Sequence, residues 1–268
     1  MLKDITMGQF FPGDSLVHRL DPRTKLVMVI LYIAALFTAK SYVSYIVMAA
    51  FLIISVRIST IKFKMLFKGL KPLIIVIVFT AILNLFFTTG DHVIFEIWRI
   101  RLTWEGVRTA AFMLVRLVML IMGTFLLTYT TSPISLTDGL ERLLNPLKKI
   151  KVPVHELAMM MSIAMRFIPT LVEETDKIMS AQKARGADFE TGSIFERAKA
   201  LLPVMIPLFI SAFRRADELA VAMESRCYHG GEGRTRMNVL HMEKRDWITL
   251  LVGVLVLALV IVLNILGL

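Results

Sequence analysis

The sequence predicts an all-α integral membrane protein, with about five transmembrane helices and long amphipathic cytoplasmic helices. Hydrophobic residues make up 56% of the 268 residues, more than an ordinary soluble domain contains. Apolar runs of near-membrane length recur along the chain. Charge is concentrated elsewhere, because residues 135–246 hold 32 of the 52 charged side chains. That segment is therefore predicted to lie outside the membrane.

Five apolar runs are the predicted transmembrane helices. They are residues 26–39, 41–56, 72–89, 109–131 and 247–268. The first two are shorter than the roughly 20 residues that cross a bilayer as a helix. Flanking residues extend them, because the aliphatic stem of Lys40 lies along the membrane while its ammonium reaches the interface.

The distribution of Lys and Arg predicts the orientation of these helices. With the N-terminus inside, four cations on loops fall outside, namely Lys40, Arg99, Arg101 and Arg108. The reverse orientation would export 26 Lys and Arg residues, against the positive-inside rule. The prediction is N-in and C-out, in three parts. They are a membrane domain in residues 1–134, a cytoplasmic helical domain in 135–246 and a final transmembrane helix in 247–268.

Within residues 135–246 the apolar periodicity predicts three helices, at about 135–147, 154–185 and 193–226. Gly186 ends the second helix as a C-cap, and the run Gly230-Gly231-Glu232-Gly233 follows the third. Residues 200–213 carry no charge. A stretch of 14 residues is too short to cross a bilayer, so it is predicted to lie against the membrane or a partner.

The second and third helices end alike. Tip 1 is Ala184-Arg185-Gly186 and tip 2 is Ser225-Arg226-Cys227, each with an Asp nine residues before its Arg. An Arg in a last helical turn can bond the free carbonyls of its own helix. Its planar guanidinium also suits a bidentate bond to a carboxylate or to carbonyls of a partner. Two similar endings in one compartment favour the partner interpretation.

Six apolar residues are a candidate partner-binding surface. This apolar patch comprises Met159, Met160, Met161, Met165, Leu208 and Phe209. Methionines at helical spacing are typical of packing between helices, but flexible thioethers also suit a surface that accepts several partners. Both interpretations stay open, because different faces of one helix can serve each.

Arg116 is a cation inside the fourth predicted span. A charge at mid-bilayer costs at least about 2.5 kcal/mol on insertion scales, so Arg116 is predicted to face protein. The favoured interpretation is a structural contact with backbone carbonyls or Asn84, and the alternative is a transport path. Few acids accompany it in the spans, which disfavours an ion-coupled carrier. The spans contain no facing Ser/His set and no pair of acids, so an intramembrane enzyme is not predicted.

Several other functions are disfavoured by motifs that the sequence lacks. No Gly-x-x-x-x-Gly-Lys-Ser/Thr run is present to bind ATP phosphates. His155-Glu156 does not continue to a second His, because residue 159 is Met. The single Cys227 excludes an intrachain disulfide and a cysteine metal cluster. No basic cluster is interleaved with stacking aromatics, so no nucleic-acid partner is predicted. The chain is predicted to have no catalytic residues, no metal ligands and no cofactor of its own.

Three tracts together resemble the transmembrane T component of energy-coupling factor (ECF) transporters. They are Asp14-Ser-Leu-Val-His-Arg-Leu-Asp-Pro-Arg-Thr-Lys25, tip 1, and Met223-Glu-Ser-Arg-Cys-Tyr-His-Gly-Gly-Glu-Gly-Arg-Thr-Arg236. The resemblance covers nearly the whole chain. In tip 2 Ser225 and Cys227 replace the Ala and Gly that are usual in that family.

This resemblance implies a non-catalytic subunit of an ATP-driven importer in the bacterial plasma membrane. It implies two partner ATPases of the ABC type, which bind the ATP and receive the two tips. It also implies a small substrate-binding membrane protein, the S component, which captures a vitamin or another micronutrient and is exchangeable. The main alternative is a self-contained secondary transporter, which needs paired halves and polar sites at mid-membrane.

Overall fold

The computed structural model describes residues 10–88, 93–97, 100–230 and 240–267. They fall into two compact units. Among the described residues, the membrane unit is 10–140 with 240–267, and the helical unit is 141–230. Part of the predicted glycine-rich break after the third cytoplasmic helix lies outside the described residues, as do Thr89 and Arg99.

The membrane unit consists mainly of helices. Its elements are α1 (Pro22–Thr38), α2 (Tyr42–Ile58), α3 (Phe63–Leu70), a 3-10 turn (Lys71–Leu73), α4 (Ile74–Phe87), β1 (Val93–Ile97), β2 (Ile100–Thr103), α5 (Trp104–Thr130) and α9 (Lys244–Ile265). The chain passes from one unit to the other within α6 (Pro133–Leu144). A 3-10 turn (Asn145–Ile150), α7 (Val154–Ala184) and α8 (Ile194–Ser225) complete the order.

The all-α membrane fold is confirmed. The β1–β2 antiparallel hairpin is a small addition that the apolar pattern does not indicate. Among the described residues, three helical stretches are long and apolar enough to cross a membrane: Phe63–Phe87, Trp104–Thr130 and Lys244–Ile265. α2 is a shorter apolar helix, and α1 also has 17 residues. These helices overlap the five predicted runs, while the number of spans and their orientation stay predictions.

Local signals set the starts of these helices. Asp21 caps α1, as predicted, because its carboxylate accepts from the backbone N–H of Arg23 at 2.8 Å, and Pro22 takes the first helical position. Thr103 caps α5 through Gly106. The third predicted run starts at residue 72, nine residues after the helical stretch begins at Phe63. Its first part is the amphipathic helix α3, which carries Lys64 and Lys68 and which apolar content alone does not reveal.

The core of the membrane unit lies where α1, α2, α3, α5 and α9 meet. Its fully buried side chains include Leu36, Met48, Val56, Leu66 and Val260. Two glycines permit close helix contacts there, because a Cβ at Gly123 would overlap the ring of Tyr32 and one at Gly253 would overlap Met28. Arg116, the cation that the sequence places within the fourth predicted span, contacts this core through Tyr45 and Ala39.

Arg116 makes a structural contact, as the favoured interpretation predicts. Its Nε donates to the Tyr45 hydroxyl at 2.9 Å, and its Nη2 donates to the Ala39 carbonyl at 2.9 Å. The guanidinium also lies 5.9 Å from the ring centre of Phe37. Asn84 was the wrong partner, because its amide donates to the Thr80 carbonyl within α4. Arg116 therefore joins α5 to the turn between α1 and α2.

Candidate functional site

The two tips have the same backbone geometry. At tip 1 the N–H of Gly186 donates to the Lys183 carbonyl at 3.0 Å and the N–H of Ala187 donates to the Gln182 carbonyl at 3.0 Å. At tip 2, which lies 41 residues later, the N–H of Cys227 donates to the Glu224 carbonyl at 2.9 Å and the N–H of Tyr228 donates to the Met223 carbonyl at 3.0 Å. Both pairs are the 5→2 and 6→1 bonds of a Schellman cap.

Cys227 takes the conformation that glycine has at tip 1. The backbone φ is +89° at Gly186 and +55° at Cys227, so both residues are left-handed. This conformation costs a residue with a Cβ roughly 1–2 kcal/mol relative to the right-handed one. The replacement of Gly by Cys therefore does not alter the path of the chain after Arg226. The thiol is exposed at that point.

Both guanidinium groups are available to a partner. Arg185 and Arg226 are exposed, and neither side chain has a hydrogen bond or an ion pair in the part of the chain that the structure describes. In the alternative role, each Arg would bond the last carbonyls of its own helix. Four of these carbonyls, two at each tip, instead accept from backbone N–H groups. The cap geometry thus holds each Arg at the end of a long helix with its side chain unpaired.

The loop after tip 1 is held by its own hydrogen bonds. The Asp188 carboxylate accepts from the N–H groups of Glu190 and Thr191 at 2.8 and 3.1 Å, and from the Thr191 hydroxyl. These bonds lower the pKa of Asp188 from 3.8 to about 2, the Thr191 hydroxyl contributing most. Because the folded pKa is depressed, this support is complete above pH 4 and is lost only as pH falls towards 2. The Asp188 carboxylate is therefore ionised at neutral pH and keeps these hydrogen bonds.

α7 and α8 contact each other at a polar crossing formed by Glu174, Ser211 and Arg215. Glu174 accepts from the Ser211 hydroxyl, and its second oxygen lies 3.0 Å from Arg215 Nη2. The Ser211 bond, and then Arg215, lower the pKa of Glu174, so the carboxylate is ionised at neutral pH. Arg185 follows Glu174 by 11 residues and Arg226 follows Arg215 by 11 residues. Both tips are therefore about 16 Å of helix from the crossing.

The apolar patch is divided between exposed and half-buried residues. Met160, Met161 and Phe209 are 54%, 42% and 57% exposed. Met159, Met165 and Leu208 are half-buried, so the patch combines packing with an open surface. Other exposed apolar residues continue along α8: Leu201, Leu202, Met205, Ile206, Ile210 and Phe213. An uncovered apolar stretch therefore lies within residues 200–213 beside the patch, while its contact with a membrane or a partner stays a prediction.

The distinctive tract before α1 has a structural role that the sequence does not reveal. Asp246, at 1% exposure, accepts from the N–H of Asp21 at 2.9 Å and from the N–H of Glu243 at 2.9 Å. Arg23 donates to both oxygens of Asp21 and to the Leu240 carbonyl. We call Asp21, Arg23 and Asp246 the Asp246 network. It joins the start of α1 to the start of α9.

Lys25 extends this connection to α5. Its ammonium donates to the His18 carbonyl at 3.0 Å and to the Thr130 carbonyl at 2.9 Å. The tract that carries the family resemblance thus ties three helix ends together within the membrane unit. As for metal sites, no group of three or more His, Cys, Asp or Glu side chains suited to an ion occurs among the described residues.

Fold and site together define a multi-helix membrane protein that presents two matched, unpaired arginines at the ends of long helices. The family described as "Cobalt transport protein" (CbiQ) matches residues 13–237. Three similar proteins carry the name "Energy-coupling factor transporter transmembrane protein EcfT". The Clostridium kluyveri protein is 56% identical over 92% of each chain, that of Bacillus subtilis 50% over 96% of this chain and 97% of its own, and that of Lactococcus lactis 45% over 98% of each.

The chain belongs to this family of energy-coupling factor transporter transmembrane proteins, EcfT, as the resemblance of its sequence predicts. It is therefore the transmembrane T component of a transporter complex with several subunits, located in a membrane.

Proposed function

We propose that this chain is the non-catalytic subunit that couples two ABC-type ATPases to a substrate-binding S component, for uptake of a vitamin or another micronutrient. The observation that carries the proposal is the pair of identical caps, each with an exposed and unpaired Arg. Five spans, N-in and C-out, in the bacterial plasma membrane place residues 135–246 in the cytoplasm with the ATPases.

Each tip suits a site on one ATPase subunit. A guanidinium at the end of a stiff helix can bond a carboxylate or several carbonyls in a fixed direction, which a Lys ammonium does less well. Two equal backbone geometries fit two related ATPases. The tips differ at Ala184 against Ser225 and at Gly186 against Cys227. This difference favours two related but non-identical ATPases, and a homodimer is the alternative.

The mechanism follows from the crossing. ATP is bound by the partners, and its binding brings the two ATPases together. If each holds one tip, α7 and α8 must move relative to each other. A contact 11 residues from each tip is the natural pivot, because both arms then have the same length. Movement of the helices beyond the pivot would shift the apolar patch and with it the bound S component, which determines the substrate.

The pivot can be tested by exchanging its charges. Glu174→Arg alone and Arg215→Glu alone should each impair uptake, because two like charges then meet at the crossing. Glu174→Arg combined with Arg215→Glu should restore much of it by re-forming the pair. Reconstituted, ATP-dependent uptake is the measurement. A double variant as impaired as the single variants would show that this pair does not position the two helices.

The function itself is tested by what co-purifies and by what supports uptake. The tagged chain, extracted in mild detergent, should retain two ATPase subunits of ordinary domain size and a small membrane protein. Vesicles that contain all of these subunits should accumulate substrate only when ATP is present on the side of the membrane where the ATPases are bound. Uptake by this chain alone would instead support the self-contained secondary transporter and contradict the coupling role.

A further inference from the structure

A groove of about 500 Å³ opens on the side of the membrane unit. This inner groove is lined by residues of four helices and of the turn before α1. They include Met28, Phe51, Ser55, Leu127, Ile248 and Val252. Its volume falls within the roughly 300–1,000 Å³ that is usual for small-ligand sites. Its walls are mainly apolar, so water alone is a poor occupant.

The groove lies at one end of the helices. α9 contributes residues from its first half, and so does α1 apart from Tyr32, while α2 and α5 contribute residues from their last halves. In an antiparallel arrangement of successive spans these four ends lie on the same side of the bilayer. With the proposed orientation that side is the cytoplasmic one, so the groove opens into the inner leaflet. This placement rests on the proposed orientation, although the groove itself does not.

Two cations line the groove, and none of the described residues in its lining is acidic. Lys25 makes two hydrogen bonds to carbonyls, as described above. Arg245 donates from Nη2 to Glu243 at 3.0 Å. Its Nε is buried and has no hydrogen-bond partner in the described part of the chain. The side chain as a whole is 35% exposed, so its guanidinium can also donate to an acceptor from outside the chain.

The carboxylates near Arg245 already have donors. Both oxygens of Asp246 accept from main-chain N–H groups, and Asp21 is occupied by Arg23. Glu243, the partner of the Arg245 Nη2, is 59% exposed at the outer side of the pair. Apolar walls beside two cations and no acid match a molecule with an acyl chain and an anionic head. Cation-lined sites between membrane helices on the cytoplasmic side favour such lipids.

We propose that the inner groove binds one anionic phospholipid of the inner leaflet, with an acyl chain along the apolar walls and its phosphate beside the Arg245 guanidinium. The bound lipid would cover exposed apolar surface on α2 and α9 and stabilise the contact between α1, α5 and α9. Its binding is a property of the isolated chain and does not depend on the ATPases.

The test is lipid retention by the purified full chain in mild detergent, measured by native mass spectrometry with phosphatidylglycerol and phosphatidylcholine of identical acyl chains. Wild type should retain one phosphatidylglycerol in preference to phosphatidylcholine. Arg245→Gln should weaken phosphatidylglycerol about fivefold, the effect of one cation near a lipid head. Arg57→Gln is the matched control, because Arg57 is an exposed cation in the last turn of α2 that does not line the groove.

A second variant examines the acyl chain independently. Ser55→Phe places a ring in the groove without altering either cation, and it should reduce retention of both lipids. Equal retention of the two lipids by wild type, or equal retention of phosphatidylglycerol by wild type and Arg245→Gln, would overturn the proposal. So would a photo-crosslinker at position 127 that labels another subunit instead of lipid in the assembled transporter. None of these outcomes bears on the docking of the tips.

Discussion

Replacing both Arg185 and Arg226 with Glu should abolish ATP-driven uptake by the assembled transporter. Each side chain is exposed and unpaired among the described residues, so the change leaves the helical unit intact. Loss of one partner of a desolvated charge pair costs about 2–5 kcal/mol, and two such losses should weaken ATPase association by at least about 100-fold. Association and uptake are measured together, by co-purification and by vesicle assay.

The matched control is Arg197→Glu with Lys199→Glu. These two cations are exposed near the start of α8, and the pair of changes alters the net charge by the same amount. The control should retain both ATPases and most of the uptake. Replacement of both tip arginines with Lys should give an intermediate loss, because the charge remains while the planar fork is removed. Full activity of the double Glu variant would refute docking through the tips.

Much of the fold follows from short-range patterns. Apolar run length predicts the membrane helices, and helical periodicity with Gly186 as a stop predicts where α7 ends. The two tips are also visible in the sequence, because their residues are local. The start of α3 is missed, since a turn that carries Lys64 and Lys68 and is exposed on one face has no strong apolar signal.

The rest depends on contacts between distant residues or on rare backbone conformations. Asp246 bonds Asp21 across 225 positions of sequence, which no local pattern indicates. The left-handed Cys227 is equally hidden, because few residues other than Gly adopt that conformation. The polar crossing could have been predicted from the sequence. When the two tips are aligned with an offset of 41 residues, Glu173-Glu174 lies opposite Arg214-Arg215. The Ile168-Pro169 and Ile206-Pro207 pairs of the same two helices are 38 residues apart, so they obscure the offset of 41.

Asp246→Ala should destabilise the membrane unit more than any other single change in this region. The carboxylate is buried and accepts from two main-chain N–H groups, those of Asp21 and Glu243. Bonds to a charged acceptor contribute about 1.5–3 kcal/mol each, and the N–H of Asp21 would be left buried without its acceptor. The free energy of unfolding should fall by about 3 kcal/mol or more. Unfolding of the purified chain in detergent, by heat or denaturant, measures the loss.

Asp14→Ala is the control, because Asp14 pairs with Arg19 at 3.5 Å on the surface and its side chain is 91% exposed. An exposed pair contributes at most about 1 kcal/mol, so this variant should unfold like wild type. Asp246→Asn should recover only part of the loss, since its amide nitrogen cannot accept from the second N–H. Equal stability of the Asp246 and Asp14 variants would show that the Asp246 network does not hold α1 and α9 together. If the network does hold them, uptake should fall with the folded fraction, while the protein that remains folded still binds both ATPases.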